Sequence, residues 1–275
     1  VEELQDVLNL LIEKNVAFYV IGNASNLLIS DAGLRGVTIS FSKLKGISIV
    51  ESKENDIYVK VMAGTLIDEL TNFCIDQSLC GMENFAGLPA SVGGAIFMNA
   101  KCFNSSISDL LFLVEYMEIT KNGAIFGRYQ MNEREWSYKH SPFQGGECTI
   151  RAMFGRKLIL SCLLRLKKGE KEEIETKTKE RSRERVEKRQ FEFPSAGSVF
   201  KNDYNIGIPT GKLVSDAGLL GFAKNGAQIA PWHGNFIINR DHAKAIDVLY
   251  IMQMIKDEIK KKYGVVLESE VIYCE

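Results

Sequence analysis

Ser198 stands in Ser195-Ala196-Gly197-Ser198-Val199-Phe200-Lys201-Asn202, between a flexible glycine and an apolar pair. A hydroxyl in that setting can donate a proton, or it can satisfy the backbone of a turn. No GxSxG elbow surrounds it and no histidine lies at a recognisable relay position, so a serine-hydrolase triad is unsupported. His233, between Trp232 and Gly234, can line a site, although a lone histidine is more often a structural hydrogen-bonder. Glu268 and Glu270 share a face on period-two counting and can form an acid/base pair. Two carboxylates on one exposed edge are the commoner case. Two loops of small residues, Gly22-Asn23-Ala24-Ser25-Asn26 and Ser91-Val92-Gly93-Gly94, can bring backbone N–H groups up to a pyrophosphate. Taken singly, each loop is more often only a tight turn, because short glycine-rich patterns are common.

Other chemistries are excluded by what is missing. Gly207-Ile208-Pro209-Thr210-Gly211-Lys212-Leu213 has three residues between its glycines and a leucine where a P-loop needs Ser or Thr for magnesium. No GxGxxG follows a strand, so a Rossmann dinucleotide site is unsupported. The 275 residues contain 3 histidines, too few for a multi-histidine metal site, and no metal is expected. The 6 cysteines form no CxxC pair and read as buried thiols of a reducing compartment. With 34 basic and 35 acidic side chains the net charge is -1, without the basic excess of a nucleic-acid binder. No apolar run is long enough for a membrane span, and no signal peptide opens the chain. The chain opens at Val1 inside a helical pattern, so upstream sequence is expected.

The elements that must position these residues can be read from periodicity. Leu4, Val7, Leu8, Leu11 and Ile12 recur at helical spacing, and the apolar run Ala17–Ile21 is a short buried strand. Gly36–Phe41, Gly46–Glu51 and Ile57–Ala63 read as strands. Thr65 can cap a helix with Leu66, Leu70, Phe73 and Cys74 on its apolar side, stopping by Gly81. Strands follow at Leu113–Thr120, Ala124–Tyr129, Cys148–Phe154 and Lys157–Leu166, with a Lys121-Asn122-Gly123 turn between the first two. Hairpin-like pairs predict an α+β fold rather than a doubly wound sheet. Lys167–Arg189 carries charges of both signs with Glu→Lys pairs at i,i+4, which predicts a solvated linking helix. Beyond it come a strand at Asn235–Asn239, a helix capped by Asp241 and ended by Gly264, and a last strand at Val265–Tyr273.

Taken together, the loops carry a resemblance. Ile21–Asp31 (IGNASNLLISD) resembles the LGGGSNLLVSD segment of the UDP-N-acetylenolpyruvoylglucosamine reductases of peptidoglycan synthesis. Ala86–Ala100 (AGLPASVGGAIFMNA) resembles their AGIPGSVGGAVYMNA, and Phe193–Asn202 (FPSAGSVFKN) their YPSAGSVFKNP. Gly211–Gly221, Gly226–Asn239 and Leu267–Val271 resemble three further segments in the family's order. The spacing from Trp136 to Phe143 is that of the family's shorter form.

The resemblance implies an FAD-binding domain of the vanillyl-alcohol-oxidase/PCMH type, in two subdomains, over residues 1–168 with its upstream part missing. It also implies a charged linker helix over 169–190 and a substrate lobe over 191–275. It implies a cytoplasmic enzyme that passes hydride from NADPH through FAD to the enolpyruvyl group of a UDP-sugar, with no nucleic-acid or membrane partner. By the same resemblance Ser198, Glu270 and Lys139 fall on catalytic positions. Tyr138, Lys201, Asn202 and His233 fall on the substrate pocket. Gly22, Asn23, Ala24, Ser25, Asn26, Leu27, Ser91, Gly93 and Gly94 fall on the flavin loops. Lys139 replaces the family's arginine, keeping the charge without the bidentate fork. Gly22-Asn23-Ala24 replaces a triple glycine, and if a replaced position needs positive φ, Asn tolerates it better than Ala. Lys101-Cys102-Phe103-Asn104 replaces GAYG and Asn225-Gly226 replaces GG. A non-catalytic relative that binds FAD or a UDP-sugar, and a different flavin oxidoreductase of the same superfamily, are the other readings.

Overall fold

The computed structural model describes residues 1–145 and 156–275. The strand expected at Cys148–Phe154 lies outside the described residues. In chain order the elements begin with α1 (Glu2–Glu13), β1 (Phe18–Ile21), β2 (Leu27–Ile29) and β3 (Val37–Ser40). Next come β4 (Ile47–Lys53), β5 (Asp56–Met62), α2 (Ile67–Asp76), β6 (Leu79–Cys80) and α3 (Val92–Phe97). They continue with β7 (Lys101–Cys102), β8 (Ser105–Ser106), β9 (Leu111–Thr120), β10 (Gly123–Gln130) and β11 (Lys157–Lys168). After α4 (Lys171–Glu187) follow β12 (Ser195–Ser198), α5 (Thr210–Asp216), β13 (Ala223–Lys224) and β14 (Ala227–Ile229). The chain closes with β15 (Phe236–Asn239), α6 (Ala245–Tyr263) and β16 (Ile272–Cys274). The class is α+β, as the hairpin pattern predicts.

Two compact units divide the chain: Val1–Ala24 with Arg35–Ser182, and Ser25–Leu34 with Arg183–Glu275. In the second half of the chain the partition breaks at 182/183, inside the linker expected over 169–190. It runs through α4, and it groups Ser25–Leu34 with the C-terminal residues because β2 pairs in parallel with β16, Leu27 opposite Ile272.

In the first unit an antiparallel sheet runs β10-β9-β11-β5-β4, with β6 added to β11. Alternation on β5 buries Ile57, Val59 and Val61, and β11 buries Cys162, Leu164 and Leu166 against the same core. The β9–β10 hairpin closes where expected, with Thr120 opposite Gly123. On the sheet, Glu115 gathers Lys60 at 2.7 Å, the Ser161 hydroxyl at 2.7 Å and Arg128 Nε at 3.2 Å. Burial alone would raise its pKa; the hydrogen bonds from Lys60 and Ser161 and the Lys60 charge outweigh it and hold the carboxyl below its ordinary value.

Thr65 does not cap α2. Its hydroxyl bridges to the backbone of Gly46, and the Glu69 carboxylate instead accepts from Leu66 N–H at 3.0 Å. The helix ends at Asp76, before Gly81. None of the described cysteines forms a disulfide. Burial pushes the Cys74 thiol up to about 12, which keeps it protonated and unreactive.

In the second unit the sheet order is β12-β15-β14-β13, and α6 buries Ile251, Ile255 and Ile259 in its core. Gly264, at φ +72°, ends α6 as expected. Asp241 does not start it. The N-cap is Lys244, and the Asp31 carboxylate accepts from Ala245 N–H at 2.8 Å and Ile246 N–H at 3.2 Å. The last strand is shorter than the expected Val265–Tyr273: only Ile272–Cys274 is regular, and the residues before it bond to Val199–Lys201.

Candidate active site

The expected site residues are divided between the two units. In the first, the turn after β1 lies against the loop before α3. A Cβ on Gly22 would sit 2.1 Å from Ser91 Oγ, so a larger residue there would displace the hydroxyl that caps Gly94 N–H. Asn23 Nδ2 donates to Pro89 O at 2.8 Å and pins the turn to that loop. Ala24 is the left-handed residue, at φ +53°. The residue that costs more at positive φ thus occupies the position that needs it. Asn104 and Asn225 also stand where the family has glycine, at φ +69° and +48°, and asparagine tolerates that region. Among the described residues no acceptor receives the backbone N–H of Gly22, Asn23 or Ala24. Successive open N–H groups around a left-handed residue form an anion-binding nest.

The Ser91–Gly94 loop is arranged differently. Val92 N–H donates to Thr65 O and Gly93 N–H to Ala63 O, both at 2.8 Å. Gly94 N–H donates to Ser91 Oγ at 3.2 Å. These amides are therefore already taken up at the end of β5 and by the cap. A Cβ on Gly93 would meet the Ala63 Cβ at 2.8 Å and the Ala63 carbonyl oxygen at 3.1 Å. Gly93 is small so that α3 can pack on β5; the reading of its amide as an open phosphate donor is corrected.

The far end of α3 holds the Tyr138–Ser141 turn. Ser141, fully buried, donates its hydroxyl to Phe97 O at 2.7 Å, and Gln144 Nε2 bonds both Phe97 O and Lys139 O. Asn99 Nδ2 donates to Ser137 O at 2.8 Å. Lys139 itself is left-handed at φ +56°, a conformation a long side chain adopts only when its surroundings impose it. Asn99 was missed by sequence reasoning; its position in the MNA segment beside the glycine loop was the available signal.

In the second unit Asn235 hydrogen-bonds Val199, Phe200 and His233, and the segment from Ser198 to Asn202 pairs with the Glu268–Glu270 segment through backbone bonds at Val199 and Lys201. Gly197, at φ +74°, takes the register shift in β12, and Ser198 lies opposite Phe236. Val199 O then accepts from Glu270 N–H at 2.8 Å, which sets Ser198 and Glu270 on adjoining segments. Among the described residues the Ser198 hydroxyl has no partner, and it is only half-buried. His233 Nδ1 accepts from Asn235 N–H at 3.2 Å and its ring packs edge-on against Phe236. Burial, with the Lys188 charge adding, holds the imidazole below its ordinary pKa, so it is neutral with its proton on Nε2. The Lys201 ammonium is paired with Glu268, and Asn202 Oδ1 accepts from Thr210 N–H at 2.9 Å at the start of α5. Ser25, Asn26 and Leu27, expected at the flavin, fall in this unit, and Asn26 Nδ2 donates to Glu270 O at 3.0 Å.

Comparison with known proteins decides the family. Residues 189–274 match the model of the UDP-N-acetylenolpyruvoylglucosamine reductase C-terminal domain, and residues 1–125 match that of an FAD binding domain. The chain is 44% identical to the UDP-N-acetylenolpyruvoylglucosamine reductase of Treponema denticola, over 99% of this chain and 84% of that protein. The chain belongs to the UDP-N-acetylenolpyruvoylglucosamine reductase family. The reductase of Treponema pallidum is 35% identical over 92% of this chain and 80% of its own. The crystal structure of the reductase of this family from Thermus caldophilus has a TM-score of 0.77 at 29% identity, covering all of this chain and 89% of that one. As a reductase of this family, the chain has the FAD-binding domain expected of its first half. Among the described residues no helix is long and apolar enough to cross a membrane, and no His/Cys/Asp/Glu cluster could hold a metal.

Proposed function

We propose that this chain reduces the enolpyruvyl ether of UDP-N-acetylglucosamine to the lactyl ether, UDP-N-acetylmuramate, with FAD as redox group and NADPH as reductant. Family membership supports the reaction class. The observation that carries the chemistry is the Ser198 hydroxyl, unpartnered among the described residues and held beside the Glu270 segment by the Val199–Glu270 hydrogen bond. Bound FAD supplies hydride transfer, from NADPH to C3 of the enolpyruvyl group.

The chain's own residues supply the rest. The open N–H groups of Gly22, Asn23 and Ala24 fit a diphosphate, and Gly22 lets Ser91 approach closely. Ser198 Oγ holds the proton that passes to C2 of the substrate, completing addition across the double bond. Lys139 provides positive charge for the substrate carboxylate as negative charge develops. For binding the substrate we assign Lys201, Asn202 and His233 in the second unit and Tyr138 in the first, and Glu270 acts with Ser198. We place the enzyme in the cytoplasm, acting on small molecules in peptidoglycan precursor synthesis, and hence in cell shape and division.

The visible spectrum of the purified protein tests this reading. Flavin bands should bleach with NADPH and recover on adding the enolpyruvyl substrate. Flavin that bleaches but does not recover with substrate would mark a flavin-binding relative of another chemistry.

A further inference from the structure

Phe200 is buried, and its backbone must be satisfied on both sides. On one side, Val199 O accepts from Glu270 N–H and Lys201 N–H donates to Glu268 O, so Phe200 faces Ser269 as a pair whose own backbone groups point away. Those groups point at Asn235. The Asn235 amide accepts from Phe200 N–H at 2.9 Å and donates to Phe200 O at 2.8 Å. A side chain thus continues the strand pairing where β12 has left β15. The backbone of the same residue accepts from Val199 N–H at 2.9 Å and donates to His233 Nδ1 at 3.2 Å. Asn235 is only 4% exposed, and each of its polar groups is used.

We infer that Asn235 is a positioning residue for proton delivery by Ser198. It clamps the two residues that follow Ser198 against the Glu270 segment and fixes the neutral tautomer of His233. No substrate contact is assigned to it. The chemistry requires only that the Ser198 hydroxyl stay in one place, because a shift of about 1 Å in a reacting group can cost on the order of 10²-fold in rate. This inference rests on the reading of Ser198 as proton donor.

The test is single-turnover reoxidation of NADPH-reduced holoenzyme by the enolpyruvyl substrate, in light and heavy water, for the parent, Ser198→Ala, Asn235→Ala and Asn235→Asp. Asn235→Ala is expected to slow the rate constant by about 10²-fold and to raise the solvent isotope effect, with NADPH-driven reduction unchanged. Asn235→Asp keeps the acceptor and loses the donor. Its rate, relative to the parent, should recover as pH falls, because a protonated carboxyl again donates to Phe200 O. If Asn235→Ala does not fold, Asn235→Asp carries the test alone. A structural role without positioning lowers the amplitude but leaves the rate constant and isotope effect at parental values, or leaves the Asn235→Asp ratio flat with pH; either result overturns the inference. If Ser198→Ala reoxidises as fast as the parent, the reading of Ser198 fails and the inference falls with it.

Discussion

Asn26 and Glu270 are joined by a hydrogen bond of 3.0 Å from the asparagine amide to the glutamate carbonyl, across 244 positions of chain. Two residues further on, Ile272 N–H donates back to Asn26 O at 3.0 Å. The last residue of the Gly22–Asn26 loop therefore helps to hold the segment bearing the glutamate.

Asn26→Ala should accordingly affect the substrate-side chemistry more than cofactor retention. Loss of the amide removes about 1 kcal/mol of support from the Glu270 segment. Flavin stoichiometry is expected to stay near parental while substrate-driven reoxidation slows. Loss of flavin with normal reoxidation of the remainder would reverse the assignment.

Gly22 and Ser91 should behave as a coupled pair. Gly22→Ala brings a Cβ to 2.1 Å from Ser91 Oγ, and the variant should lose flavin on gel filtration. Adding Ser91→Gly removes the obstructing atoms and should restore part of the binding. A double variant no better than Gly22→Ala would show that the two loops do not meet in solution.

Ala24→Gly should stabilise the protein. The left-handed region costs an L-residue roughly 1–2 kcal/mol, and the extra chain entropy of glycine returns about half of that, so a net gain of about 0.5–1 kcal/mol is expected. Chemical denaturation of the flavin-free protein measures it. A loss of stability would mean that Ala24 is not held at positive φ.

Ser198→Ala and Lys139→Ala address the two ends of the proposed chemistry. Both should leave NADPH-driven reduction nearly intact. Ser198→Ala should slow reoxidation by about 10²–10⁴-fold, the usual range for losing a positioned proton donor. Lys139→Ala should slow it by about 10²–10³-fold, and Lys139→Arg should be at least as fast as the parent. Unchanged reoxidation in Lys139→Ala would remove that lysine from the reaction.

His233 ties the second unit to pH. Its folded-state pKa lies below the ordinary value, so the unfolded chain binds the proton first. The stability it contributes is complete above about pH 6.5 and is lost as pH falls below that value toward the folded pKa. His233→Gln should therefore flatten the fall in thermal midpoint on the acid side of about pH 6.5. An equally steep fall in the variant would assign the loss to other groups.

Much of this was legible before any coordinates. The hairpin around Lys121-Asn122-Gly123, the long helix ended by Gly264 and the charged α4 depend on short-range periodicity and turn chemistry, which the local sequence carries. The assignment of Ser198, Glu270 and His233 to one site was implied by resemblance alone. What the sequence by itself determined, then, was the longer helices, the hairpin strands and the family. Tertiary structure decided that Gly93 donates its N–H to Ala63 O and leaves room for the Ala63 side chain, and that Asn235 serves as a substitute strand edge. It also decided that Asp31, not Asp241, satisfies the start of α6 from 214 residues away. Partners so far apart leave no periodic trace in a chain; they are chosen by whichever buried donor or acceptor would otherwise be left unpaired once the elements have packed.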